Sequence, residues 1–128
     1  GCPLCLYKNE KATYKYICDT ITEKVEIHKP VTTYTLNNKI RKIIVDFYFK
    51  YNNKEVIVEY NGEQHYRPVA FNGDKNKSEQ NFLIQQIRDT RLREYCIENK
   101  INLIEIDGRQ YKFEMIKDFL THKLKEIL

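Results

Sequence analysis

Two acids sit inside the two most apolar stretches of the chain. Asp46 lies in Ile43-Ile44-Val45-Asp46-Phe47-Tyr48-Phe49, and Glu59 in Val56-Ile57-Val58-Glu59-Tyr60. A carboxylate in such surroundings is costly to keep ionised unless something compensates it. Both stretches are apolar on both faces, the pattern of central strands covered on two sides. Asn52-Asn53 separates them and suits a two-residue hairpin turn with positive φ. With that turn, Phe49 faces Val56, Phe47 faces Val58 and Asp46 faces Glu59. Opposed side chains have Cβ atoms about 4.5–5.5 Å apart. Like charges so placed destabilise the pair unless a cation lies between them, and Mg²⁺ is commonly held by one or two carboxylates plus substrate phosphate. The pattern predicts a divalent-metal site with Asp46 and Glu59 as ligands. The competing reading is that each acid pairs with a basic side chain such as Arg41 or Lys54.

Further candidates flank this pair. Tyr60-Asn61-Gly62-Glu63-Gln64-His65-Tyr66 follows Glu59 directly, and α/β sites gather loop residues at strand ends. His65 there suits a base or a water-positioning group. Asp89 falls in a helical stretch, offset about 60° from Leu92. It either flanks the buried stripe and reaches the sheet, or is an exposed acid paired with Arg93 one turn on. Cys2 and Cys5 supply half of a four-ligand zinc site, to be completed by His28 or Cys18 or by a pair upstream. A redox role finds no support, because no thioredoxin-like βαβ follows the motif. Cys18 and Cys96 read as small buried hydrophobes.

The elements that must position these residues follow from periodicity. Residues 8–20 predict a helix. Residues 23–28 predict a strand with Val25 and Ile27 inward, which Pro30 ends or marks as an edge. Asn37-Asn38 is a turn signal. Strands follow over 42–49 and 55–60, then a long polar loop over 61–78. Residues 79–98 predict a helix with Leu83, Ile84, Ile87, Leu92, Tyr95 and Cys96 on one face. A strand over 102–107 ends at Gly108, and a helix over 112–127 turns Phe113, Ile116, Leu120, Leu124 and Ile127 inward. The expected class is α/β, in the order α-β-β-β-α-β-α, with a mixed sheet of about four strands flanked by helices.

This order, with Asp on one central strand and Glu on the next, resembles the PD-(D/E)XK nuclease superfamily. The string Asp46-Phe47-Tyr48-Phe49 … Glu59-Tyr60-Asn61-Gly62-Glu63-Gln64-His65-Tyr66 is similar to the branch of very-short-patch-repair-like endonucleases and phage homing endonucleases. That branch often shows Asp-Phe, then Glu-x-Asp-Gly-x-x-His, then a helix with Asp and basic residues before a short apolar strand. Here that stretch is Asp89-Thr90-Arg91-Leu92-Arg93, followed by Ile101-Asn102-Leu103-Ile104-Glu105-Ile106. Glu10 stands where the first helix of such proteins carries an acid. Gly1-Cys2-Pro3-Leu4-Cys5 resembles the end of a zinc ribbon preceding the nuclease domain. The chain therefore divides as residues 1–7, a zinc-ribbon remnant, and 8–128, a restriction-endonuclease-like domain.

The resemblance implies a Mg²⁺- or Mn²⁺-dependent endonuclease hydrolysing DNA, of homing or repair type, acting as monomer or homodimer. Asp46 and Glu59 would hold the metal, with a Val58 or Tyr60 carbonyl completing its coordination. His65 would orient or deprotonate water, Gln64 would hold phosphate or water, and Glu10 and Asp89 would be supporting or alternative ligands. Lys39, Arg41, Lys42, Arg67, Lys75, Lys77 and Arg91 would contact nucleic acid. Zn²⁺ would bind at the N-terminus of the longer protein. One departure is clear: Asn61 replaces the superfamily lysine, which in this branch is usually Asp. Gln64 and His65 replace that lysine, or the domain is a catalytically inactive nucleic-acid binder. A protein-interaction module with ion-paired strand acids is a further alternative.

Composition sets the outer bounds. At 128 residues and 31% charged, with 22 basic against 18 acidic side chains, the chain fits one domain with a proper core. The net charge of +4 permits a polyanionic partner. No apolar run approaches the ~20 residues of a membrane span. The N-terminus lacks the pattern of a signal peptide and looks cut from a longer protein. No disulfide scaffold is apparent, so the expected location is a reducing one, the cytoplasm of a bacterium or of a virus's host.

Overall fold

The computed structural model describes residues 3–21, 24–61, 75–108 and 113–127, with side chains from residue 11 onward except those of 75, 113 and 114. Its elements are α1 (Pro3–Thr20), β1 (Glu26–Leu36), β2 (Lys39–Tyr51), β3 (Lys54–Asn61), α2 (Lys75–Glu98), β4 (Asn102–Asp107) and α3 (Phe113–Ile127). This is the expected α/β order. The sheet runs β1-β2-β3-β4. β1, β2 and β3 are antiparallel neighbours, and β4 joins β3 in parallel after the α2 crossover.

Local chemistry explains the hairpins. Asn37, Asn38, Asn52 and Asn53 all have positive φ, between 49° and 63°. Two consecutive residues of that kind form the turn whose twist matches paired strands, and Asn tolerates it well. The β2–β3 ladder has the expected register, with Phe49 opposite Val56 and Phe47 opposite Val58. β1 is longer than predicted. Pro30 does not end it, because β1 is the sheet's edge and a missing N–H can face outward there.

Two cores cover the central strands. On one face Phe47, Phe49, Val56, Val58, Ile104 and Ile106 pack against Ile17 of α1, Ile21 just after it, and Ile116, Leu120 and Leu124 of α3. On the other, Ile43, Val45 and Ile57 pack with Leu92 and Cys96 of α2 and with Ile101. Val45 and Phe47 are two residues apart yet belong to opposite cores, although a regular strand places such residues on one face. The alternation breaks at Asp46. The neighbouring edge is irregular too: His28 has φ 50°, and the β1–β2 register shifts between Pro30 and Thr32. Bulges of this kind bend a strand and re-aim its side chains.

Several burial expectations are corrected. Ile27 is exposed, as are Leu83, Ile87 and Cys18. The stripe of α2 turned to the sheet is Ser78, Phe82, Gln85, Asp89, Leu92 and Cys96, spaced alternately by four and three residues. Its first half is mostly polar, so apolar periodicity pointed to the wrong side there. Helix α1 runs unbroken from Pro3 to Thr20 and starts earlier than expected, so Cys5 is helical. Residues 75–78 open α2 rather than close a loop.

Candidate metal centre

Asp46 and Glu59 meet on the face covered by α2. The backbone N–H of Tyr60 donates to Asp46 Oδ2 at 2.8 Å. Glu59 is 4% exposed. Burial pushes its carboxyl up to about 8, Arg88 pulling against that and the nearby Asp46 charge and hydrogen bond adding to it. Protonated Glu59 can donate to Asp46, which accounts for two carboxyls standing so close. The juxtaposition expected from the hairpin register is therefore present, one step beyond the Phe47–Val58 pair.

The basic partner is neither Arg41 nor Lys54. Arg88 Nη2 donates to Glu59 Oε1 at 2.8 Å and to the Ile44 carbonyl at 2.9 Å, while Nη1 donates to Asp89 Oδ1 at 3.0 Å. Asp89 is 4% exposed and also accepts from Gln85 Nε2 at 2.9 Å. Asp89 thus faces the sheet and reaches the strand acids through a guanidinium. Lys54 instead donates to the Ile127 carbonyl.

One strand over, the arrangement repeats. Glu105 stands beside Glu59 in the parallel ladder. Arg93 grips it with two hydrogen bonds, Nε to Oε2 at 3.2 Å and Nη2 to Oε1 at 3.0 Å. Two arginines of α2 therefore hold two sheet acids. Arg88, Arg93, Gln85 and Glu105 were not among the sequence candidates. Glu105 carried the signal that exposed Asp46 and Glu59, an acid inside the apolar run Leu103-Ile104-Glu105-Ile106. The arginines offered no such signal, because a base on an amphipathic helix is ordinarily solvated.

Asn61 completes the face. It is 2% exposed, and its Nδ2 donates to Glu105 Oε1 at 3.3 Å. Its Oδ1 is buried without a hydrogen-bond partner among the described residues, a state that costs roughly 1–3 kcal/mol. Its main-chain carbonyl accepts from Gly108 N at 2.7 Å. A Cβ at Gly108 would lie 2.9 Å from that carbonyl oxygen and from the Tyr60 ring, so only glycine permits this closure of β3 on β4.

The donor set is therefore oxygen only: Asp46, Glu59 and the unpartnered Asn61 Oδ1, which shares Glu59's face by strand alternation. Hard divalent cations select oxygen donors, and the residues present fit such an ion. Among the described residues no group of three His, Cys, Asp or Glu side chains gathers as a cage. Gln64, His65 and Arg67 lie outside the described residues, as does Cys2; Cys5, Glu10 and Lys75 are helical, with side chains outside them. His28 and Cys18 are both exposed. Lys39, Arg41, Lys42 and Lys77 are exposed. Arg91 lies over β1, with Nε 3.4 Å from the Thr33 carbonyl and Nη1 3.5 Å from Glu98.

No protein-family model matches the chain, and no solved structure matches it. Two curated viral proteins are similar to part of it. Uncharacterized protein 307L of Invertebrate iridescent virus 6 is 39% identical over 70 residues, which is 55% of this chain and 32% of that protein. Uncharacterized protein 033L of Invertebrate iridescent virus 3 is 40% identical over 70 residues, 55% of this chain and 34% of that protein. The chain spans about a third of the length of the curated relatives it matches. No helix among the described residues is long and apolar enough to cross a membrane.

Proposed function

We propose that this domain is a metal-dependent endonuclease acting on DNA, built on a restriction-endonuclease-like scaffold. The observation that carries the proposal is the meeting of half-buried Asp46 and buried Glu59 where the β2 alternation breaks, beside a buried acceptor on Asn61 that no described group satisfies. Asp46, Glu59 and Asn61 Oδ1 would hold Mg²⁺ or Mn²⁺. Such an ion, when bound, polarises a scissile phosphate and lowers the pKa of coordinated water.

The chain's own groups do the rest. The Tyr60 N–H fixes the Asp46 carboxylate. Arg88 ties Glu59 and Asp89 together and sets the distance of α2 from the sheet. Swung off Glu59, its guanidinium would suit two oxygens of a phosphate. His65 would take or orient the proton of the attacking water, with Gln64 positioning water or phosphate. A single such site cuts one strand per encounter.

A second reading has its own support. Glu59 already has a cation in contact, Arg88, and Arg93 pairs Glu105 in the same way. A domain using these pairs only to seat α2 would bind nucleic acid or protein without cutting. A plasmid-cleavage assay separates the two. Cleavage requiring Mg²⁺ or Mn²⁺, abolished by EDTA, by Asp46→Ala and by Glu59→Ala, is the expected result. EDTA-resistant cleavage, or full activity in either variant, would sink the proposal. A wild-type protein inert with both metals favours the second reading.

A further inference from the structure

The β1–β2 hairpin outruns the rest of the sheet. β3 pairs with β2 only over residues 47–51, whereas β1 follows β2 from Tyr48 to Lys39. Residues 29–45 thus form a two-stranded ribbon along one edge. Helix α2 backs one of its faces through Val31, Tyr34, Ile43 and Val45. The cross-strand pairs Pro30–Ile44, Thr33–Lys42 and Thr35–Ile40 place those six side chains on the other face. All six are exposed, Ile40 at 76% and Ile44 at 46%.

Charge is equally uneven. No Asp or Glu occurs between Glu26 and Asp46, while Lys29, Lys39, Arg41 and Lys42 all do. Those four bases alone equal the net charge of the whole chain, +4. Lys29 is occupied by Glu26 and the Tyr48 ring. Lys39, Arg41 and Lys42 cluster at the exposed tip around the Asn37-Asn38 turn.

We propose that this ribbon is a DNA-reading arm, whose uncovered face enters the major groove of a B-form duplex. That groove, about 12 Å wide, admits a two-stranded ribbon. Thr33, Thr35 and Lys42 present groups that hydrogen-bond base edges, and Ile40 presents an apolar surface for a thymine methyl. Lys39 and Arg41, on the opposite face, contact the flanking phosphates. A-form RNA has a major groove that side chains cannot read, so the shape selects DNA. Four residues on from Lys42, past the break in alternation, β2 delivers Asp46, about 13 Å away along the strand and turned to the α2 face. The inference rests on the nuclease reading for its class of partner and adds where and how the duplex docks.

The test is binding without hydrolysis. Wild-type protein in EDTA is titrated against a 20-base-pair duplex by fluorescence anisotropy over a salt series. Each phosphate contact contributes about 0.9 to the log–log salt slope. Lys39→Gln, Arg41→Gln and Lys42→Gln together are expected to reduce that slope by about 2, from the two phosphate contacts, and to weaken binding at least tenfold at 0.1 M salt. Ile40→Ala, with charge unchanged, is expected to alter the sequence selected from a randomised duplex, and wild-type protein to shield guanine N7. An unchanged slope in the triple variant, the same selected sequence with Ile40→Ala, equal affinity for duplex RNA, or binding to anionic vesicles but not DNA would each overturn the inference. Melting curves of the variants check that these exposed substitutions leave the fold intact. Should the protein bind through the ribbon but cut nothing with metal, the nuclease reading falls alone. Should it cut while its footprint lies elsewhere, the ribbon falls alone.

Discussion

The two faces of the central strands are built for different ends. Toward α1 and α3 the strands present Phe47, Phe49, Val56, Val58, Ile104 and Ile106, and aliphatic side chains answer them. Toward α2 the same strands present Asp46, Glu59, Asn61 and Glu105 in a row beside a smaller apolar cluster. The first face follows the ordinary rule of burial. The second gives up apolar contact to hold carboxylates buried or half-buried, each placed by a specific donor. Tyr60 N–H serves Asp46, Arg88 serves Glu59 and Asp89, and Arg93 serves Glu105. Proteins retain such local conflicts mainly where function needs them.

The contrast is sharpest under truncation. Phe49, 1% exposed, should cost about 3–5 kcal/mol of unfolding free energy when changed to Ala. Metal should return none of that loss, as chemical denaturation with and without Mg²⁺ will show. Arg88→Ala leaves Glu59 and Asp89 buried without their guanidinium and is expected to cost up to about 3–5 kcal/mol. Millimolar Mg²⁺ should restore part of it, because a ligand that binds only the folded state stabilises that state. No recovery with metal would make Arg88 the permanent partner and remove the functional difference between the faces.

An effect that is smaller per pH unit, but accumulates over several units, should appear with pH. The Glu59 carboxyl rises from its ordinary 4.5 to about 8 on folding, chiefly through burial. It therefore contributes stability that is fully present below about pH 4.5 and lost as pH rises through 8. Between those values metal-free protein should lose up to about 1.4 kcal/mol per pH unit relative to Glu59→Gln. Parallel stability curves for the two proteins would mean that Arg88 keeps Glu59 ionised throughout. The smallest expected change is a gain. Asp46→Asn removes the charge beside Glu59 while its amide oxygen can still accept from Tyr60 N–H. It should raise the melting temperature in EDTA by a few degrees, of the order of 1 kcal/mol. A clear fall would identify Asp46 as a structural ion-pair partner.

The chain's local chemistry determined much of this unaided. Alternation and length defined β2, β3 and β4 but only the start of β1, Asn-Asn pairs defined both hairpin turns, and the β2–β3 register followed from one of those turns. Asp46 and Glu59 stood out because charge inside an apolar strand is costly wherever that strand packs. What only the tertiary structure decided depends on how α2 is rotated about its own axis. Its apolar periodicity turned Leu83 and Ile87 inward, yet the helix buries Asp89, half-buries Gln85 and leaves both aliphatics exposed. That rotation is set by Leu92 and Cys96 seating on Ile43, Val45 and Ile57, and by Arg88 and Arg93 reaching Glu59 and Glu105. These contacts join residues 12 to 53 positions apart in the chain. The partner of a buried charge is chosen at that range, where no local pattern in the sequence records it.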